Sequence, residues 1–163
     1  MKTIMKTVLS IPLTAVLLTA ALAGPAAAAN GLPFCGSIQG VEIADVQFPK
    51  IFVDGSGSGN ATHLGRFTVT SEFEVDLPTI IATGSAHFRA ANGDSIFTVT
   101  EAHEEPQSTE PDFLFIVERY TITGGTGRFA GATGSFTVER LLNTVTDVTS
   151  GSFEGTIVMA KGK

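Results

Sequence analysis

The chain has 163 residues with 16 acidic against 10 basic side chains, a formal charge of −6 that disfavours nucleic-acid binding and adhesion to anionic membranes, both of which need basic patches. A single cysteine rules out an internal disulfide, and the length holds one domain with a real core rather than two.

Residues 1–29 have the pattern of a secretory signal peptide. Lys2 and Lys6 make a positive start, residues 8–23 are apolar apart from Ser10, Pro12, Thr14 and Thr19, and Ala26 to Ala29 offer a small-residue cleavage site. The interruptions, with Gly24-Pro25 following, make the run weak for a membrane span, and Phe34 before Cys35 does not fit a lipidated cysteine. The expectation is an exported chain, secreted or periplasmic, with no membrane attachment after cleavage. Its single domain, 30–163, has 134 residues and a formal charge of −8 once Lys2 and Lys6 are removed. Cys35, near the new amino terminus, reads as an inert thiol, with pairing to another chain as the alternative.

Beyond residue 30 no apolar period of 3.6 is sustained, whereas alternation with period two recurs. Strands are predicted at 37–46 and 51–58. Within the second, Gly55-Ser56-Gly57-Ser58-Gly59 lacks the spacing of a nucleophile elbow and reads as a flexible strand end or bulge. Asn60-Ala61-Thr62 fits the N-glycosylation pattern, which has meaning only in a cell with that machinery. His63 sits beside the turn expected at Asn60 and could cap it. In 67–76, Phe67, Val69, Phe73 and Val75 face one way and Thr68, Thr70, Glu72, Glu74 and Asp76 the other, so the first set is expected in the core.

A strand at 80–90 puts Ile80, Ala82, Gly84, Ala86, Phe88 and Ala90 on one face, with Thr83, Ser85, His87 and Arg89 opposite. Asn92-Gly93-Asp94 then turns it into a hairpin with 95–101. Glu101, His103 and Glu105 alternate as divalent-metal ligands could, but they run into an acidic stretch, so a solvated strand end is the reading and no metal is expected. Residues 104–112, with Pro106 and Pro111, are expected to be an exposed loop at a barrel mouth.

The strand at 113–123 is apolar on both faces. Glu118 and Tyr120 share a face with Leu114, Ile116 and Ile122; Phe113, Phe115 and Val117 share the other with Arg119. If the first face is internal, Glu118 is a buried carboxylate beside a phenol, the minimum equipment for steering a proton or orienting a polar ligand head. The reading preferred on the residues is the reverse, with the phenylalanines filling the lumen and Glu118 outside, paired with a cross-strand arginine.

The segment 124–134 is dense in glycine, and Gly124, Gly125, Gly127, Gly131 and Gly134 are expected to shape a tight turn with at least one positive φ. Gly125 to Ala130 formally satisfies the G-x-G-x-x-A dinucleotide fingerprint, but strand-like residues flank it, so no helix amino terminus awaits a pyrophosphate and no cofactor is expected. Strands at 135–142 and 152–159 complete a set of eight, the count at which a sheet can close on itself. The predicted fold is therefore all-β, a single closed antiparallel eight-stranded barrel of calycin-like form, with a two-sheet sandwich as the alternative.

The run E-x-Y-x-I-x-G-G-T-G from Glu118 to Gly127, followed by F-A-G-A-x-G from Phe129 to Gly134, resembles the allene oxide cyclase and dirigent group of small β-barrels. The likeness extends over 113–159. The segment 60–67 is also similar to one in secreted bacterial proteins. What the resemblance implies is an eight-stranded barrel with a hydrophobic lumen; it does not map cyclase or dirigent catalytic residues onto this chain.

Three functions follow as expectations. The first is a secreted barrel whose lumen binds a small apolar ligand, fatty-acid-like or similar, without catalysis, supported by twelve phenylalanines and no tryptophan. The second is an isomerase or cyclase resembling allene oxide cyclase, with Glu118 and Tyr120 as its polar lumen groups. The third is a structural or adhesive envelope protein with a packed barrel. No oligomeric state is specified by the sequence.

Overall fold

The computed structural model describes residues 31–102 and 107–160; the expected signal segment, 1–29, lies outside them. Among the described residues the strands are β1 (Leu32–Gln47), β2 (Lys50–Ala61), β3 (Gly65–Asp76), β4 (Ile81–Ala90), β5 (Ser95–Ala102), β6 (Gln107–Glu110), β7 (Phe113–Gly125), β8 (Thr133–Asn143) and β9 (Val148–Val158). Each of β1 to β4 pairs antiparallel with the next, as do β7 with β8 and β8 with β9. β9 returns to β1, and β5 pairs with β7. The ring is closed, so eight strands make the predicted antiparallel barrel and the sandwich alternative falls.

Two expectations are corrected by the pairing. The region 104–112 is not a plain loop. Its described part holds β6, which hairpins through Pro111 and Asp112 onto β7, with Gln107 opposite Phe115. The reason is that β7 outruns β5, whose last partner on it is Arg119, so the opening residues of β7 need another strand. The glycine-rich run in β2 is neither a frayed end nor a bulge, because 50–61 pairs in unbroken register with both β1 and β3. Ile80 also leaves the predicted strand for the preceding turn, with φ 55.

The two ends of the barrel differ. At one end the starts of β1, β3, β5 and β8 meet Phe34, Leu64, Ile96, Phe129, Ala132 and Ile157, all almost fully buried. A short 3-10 turn, Gly127–Phe129, drops the Phe129 ring into this end as a plug. Above it lie Phe34, Phe136 and Phe153, with ring centroids 5.1–5.3 Å apart. Tyr120 stacks on Phe136 at 5.0 Å. Glycines make room for aromatic rings here: a β-carbon on Gly36 would strike the ring of Phe153 and one on Gly59 the ring of Phe67. Phe67, Val69 and Phe73 point into this core as the alternation predicts, while Val75, nearer the other end, is half-buried.

Gly124, Gly127, Gly131 and Gly134 all have positive φ, as the turn requires. Gly127 illustrates the constraint best: its φ is 56, and a β-carbon there would collide with the Asp94 carboxylate. Asp94 lies 3.6 Å from Arg128 Nε, and Arg128 Nη2 donates to the Leu64 carbonyl, so the plug is tied to two neighbouring turns.

Candidate functional site

The opposite half of the lumen is built from four inward positions carried by three strands. On β1 the inward set Phe34, Gly36, Ile38, Gly40 ends in Glu42; on β8 Phe136 and Val138 lead to Arg140; on β7 Ile122 and Tyr120 lead to Glu118. Alternation that buries aromatic rings at one end therefore delivers charges to the other. Glu118 sits opposite Val138 and Arg140 opposite Ile116, so the acid and the guanidinium meet diagonally across the β7 and β8 pair.

Arg140 grips Glu118 in a bidentate pair, Nε to Oε2 at 3.0 Å and Nη2 to Oε1 at 2.8 Å. Its Nη1 lies 2.7 Å from Glu42 Oε1 and donates to Thr149 Oγ1 at 3.1 Å. Tyr120 donates its hydroxyl to Glu118 Oε2 at 3.1 Å. Glu118 and Arg140 are only 5% and 7% exposed. Thr100, directly opposite Tyr120, brings a buried hydroxyl near enough to bear on the phenol, yet its Oγ1 makes no hydrogen bond of good geometry among the described residues.

Burial sets the protonation of this cluster. It pushes Glu42 above the ordinary carboxylate range, outweighing the pull of Arg140, and the charges of Glu118 and Asp147 push the same way. Burial also raises the Tyr120 phenol well above its usual value, reinforced by the Glu118 charge. For Arg140 burial opposes the charge, but the bonds and field of Glu118, then the field of Glu42, prevail and hold it protonated. Two carboxylates thus share one guanidinium.

Beside the cluster is a partly open cavity with about 40 Å³ of space for water centres, lined by Glu42, Ser71, Phe73, Tyr120, Arg140 and Thr149. That is room for about three waters. Gly40, Gly55 and Gly57 form one wall. These are the strand glycines of β1 and β2, and a β-carbon on Gly55 would meet Ser71 Oγ.

The predicted pair, Glu118 and Tyr120, is thus brought together inside the barrel. The preferred reading of β7, with Phe113, Phe115 and Val117 filling the lumen, is reversed: they lie half-buried on the opposite face. The expected cross-strand arginine exists, but it meets Glu118 in the interior. Glu42, Arg140 and Thr149 were not singled out from the sequence. The signal for two of them was a charge in phase with apolar core positions, Glu42 after Phe34 and Ile38 and Arg140 after Phe136 and Val138.

The other candidates do not join the site. Thr62, not His63, ties down the β2–β3 turn, donating to the Pro33 carbonyl at 2.9 Å and accepting from the Cys35 amide at 3.0 Å. His63 is exposed with φ 61. His87 is exposed and meets Ser95 Oγ at 2.8 Å. Cys35 is a free thiol on the exposed side of β1. Glu101 lies on the exposed side of β5, while His103 and Glu105, which alternate with it in the sequence, lie outside the described residues.

No protein-family model and no curated protein sequence matches the chain. Among solved structures it is similar to the pterocarpan synthase dirigent protein GePTS1, with a TM-score of 0.60 and 10% sequence identity over 81% of this chain and 89% of that one. The fold is that of a dirigent-like barrel.

Proposed function

We propose that this protein is an exported barrel that receives a small, largely apolar ligand at its open end and orients the ligand's polar head against the Glu42, Arg140, Glu118 and Tyr120 cluster. The observation that carries the reading is the cluster itself. A buried ion network is costly to assemble and is commonly matched or exceeded in stability by apolar residues of similar volume, so its presence in a lumen otherwise filled by phenylalanine points to use. The adjoining cavity, with Glu42 and the hydroxyls of Ser71 and Thr149 in its lining, supplies acceptors and room for a head group. The half-buried apolar side chains nearer the mouth, among them Ile51, Val53 and Val75, would take the tail. Export rests on the signal-like residues 1–29 and belongs to the same proposal.

An isomerase or cyclase is the second reading, favoured by the raised Glu42 carboxyl beside a hydrogen-bonded phenol. Glu42 is the better proton carrier of the two acids, since both oxygens of Glu118 are held by Arg140 and one also by Tyr120.

Tyr120 is the only tyrosine and there is no tryptophan, so intrinsic fluorescence reports on the lumen alone. The test is a titration of the purified protein with fatty acids, terpenoids, phenolics and alkyl amines, following Tyr120 emission and thermal unfolding. A ligand at a hundred times its Kd should add about 2.7 kcal/mol of stability. Compounds that shift the melting transition and Tyr120 emission together support the reading. If none moves either signal, the structural, packed-barrel role is the one that stands.

A further inference from the structure

Resting on that reading, we infer that the lumen selects a ligand whose head is a small protonated amine and rejects one ending in a carboxylate. The geometry is one of unequal charge. Two carboxylates, Glu42 and Glu118, face the single cation Arg140, and each of the three guanidinium nitrogens already meets one of them, Nη1 also meeting Thr149. An incoming carboxylate would find no free cation among the described residues of the cavity wall and would add a third negative charge to a buried site.

An ammonium head meets the opposite situation. Glu42 uses one oxygen toward Arg140, and its side chain, 12% exposed, borders the cavity. The hydroxyls of Ser71 and Thr149 line the same wall and can accept a hydrogen bond. Charge-assisted bonds from the three ammonium hydrogens would fill these acceptors and make the interior neutral. Asp147, whose field also reaches Glu42, adds to the attraction. The space beside the cluster suits this small head and no bulkier one, and the tail must then lie toward the mouth.

The test is a matched series of hexylamine, hexan-1-ol and hexanoate, titrated into the purified protein at pH 7 in 0.15 M NaCl, with calorimetry and Tyr120 fluorescence as readouts. Hexylamine should bind tightest, by roughly tenfold or more over hexanoate, with the alcohol between, a tenfold step being about 1.4 kcal/mol. Glu42→Gln should shrink the margin of amine over alcohol. An amine preference that survives this substitution unchanged, or that leaves Tyr120 emission unaltered in the native protein, would assign the binding to the acidic exterior and overturn the inference. Hexanoate binding as tightly as hexylamine would overturn it while leaving the lumen-binding reading intact. If no member of the series binds but terpenoids or phenolics do, the amine inference fails alone; if nothing binds, both fail.

Discussion

The two halves of the lumen are made by the same strands with the same alternation, yet one is a dry aromatic core and the other an ion network beside a cavity. In the closed half, Phe34, Phe136 and Phe153 pack against one another over glycines, and Phe129 seals the end. In the open half, Glu42, Arg140, Glu118 and Tyr120 satisfy one another, and Gly40, Gly55 and Gly57 line a cavity instead of seating a ring. The contrast teaches that closure and function are divided along the barrel axis. The closed half supplies stability through apolar burial, and it supports a half whose buried charges are a liability unless matched.

The comparison is broken most severely by Arg140→Met, which leaves Glu118 and Glu42 buried without a countercharge. It should cost about 3–5 kcal/mol at neutral pH by chemical denaturation. Replacing Glu118 and Glu42 with leucine and glutamine in the same background should recover much of the loss. No recovery would mean that packing, not charge, is what Arg140 supplies.

Phe136→Ala probes the closed half and should cost a similar or slightly smaller amount, about 3–5 kcal/mol, since the ring is 2% exposed and touches Phe34, Phe88, Tyr120 and Phe153. Phe73→Ala should cost less, because Phe73 already borders the cavity. Equal denaturation midpoints for the two variants would erase the distinction between the halves.

Gly127→Ala tests the plug. With φ at 56 and Asp94 where the β-carbon would go, a loss of about 1 kcal/mol or more is expected. Tyr120 fluorescence should stay native if the ends are independent.

The smallest effect sharpens the comparison most. Glu42 is raised above its unfolded value, so its contribution to stability is full below the unfolded pKa of about 4.5 and falls as pH rises through the folded one. Glu42→Gln, which mimics the protonated form, should match the native melting temperature in acid and exceed it increasingly as pH rises towards neutral. A constant difference across that range would show that the carboxyl does not titrate in the fold.

Where one face of a strand carried charges that could not be buried, the sequence alone determined its orientation. Glu72, Glu74 and Asp76 forced Phe67 and Phe73 inward, and the 124–134 glycines announced a turn needing positive φ, because both are local constraints. β7 was different, apolar on both faces, so no local rule set its phase. That choice belonged to β8, where Phe136, Val138 and Arg140 share the inward face and Arg140 supplies the cation that makes an inward Glu118 tolerable. The β2 glycines are illegible from the sequence for the same reason, since what they accommodate, Phe67 and Ser71, lies on the neighbouring strand. The meeting of Glu42 with Arg140 joins residues 98 positions apart in sequence, brought together only when β9 closes onto β1 and completes the ring. Closure is a property of the whole sheet, and the site exists only inside the closed form.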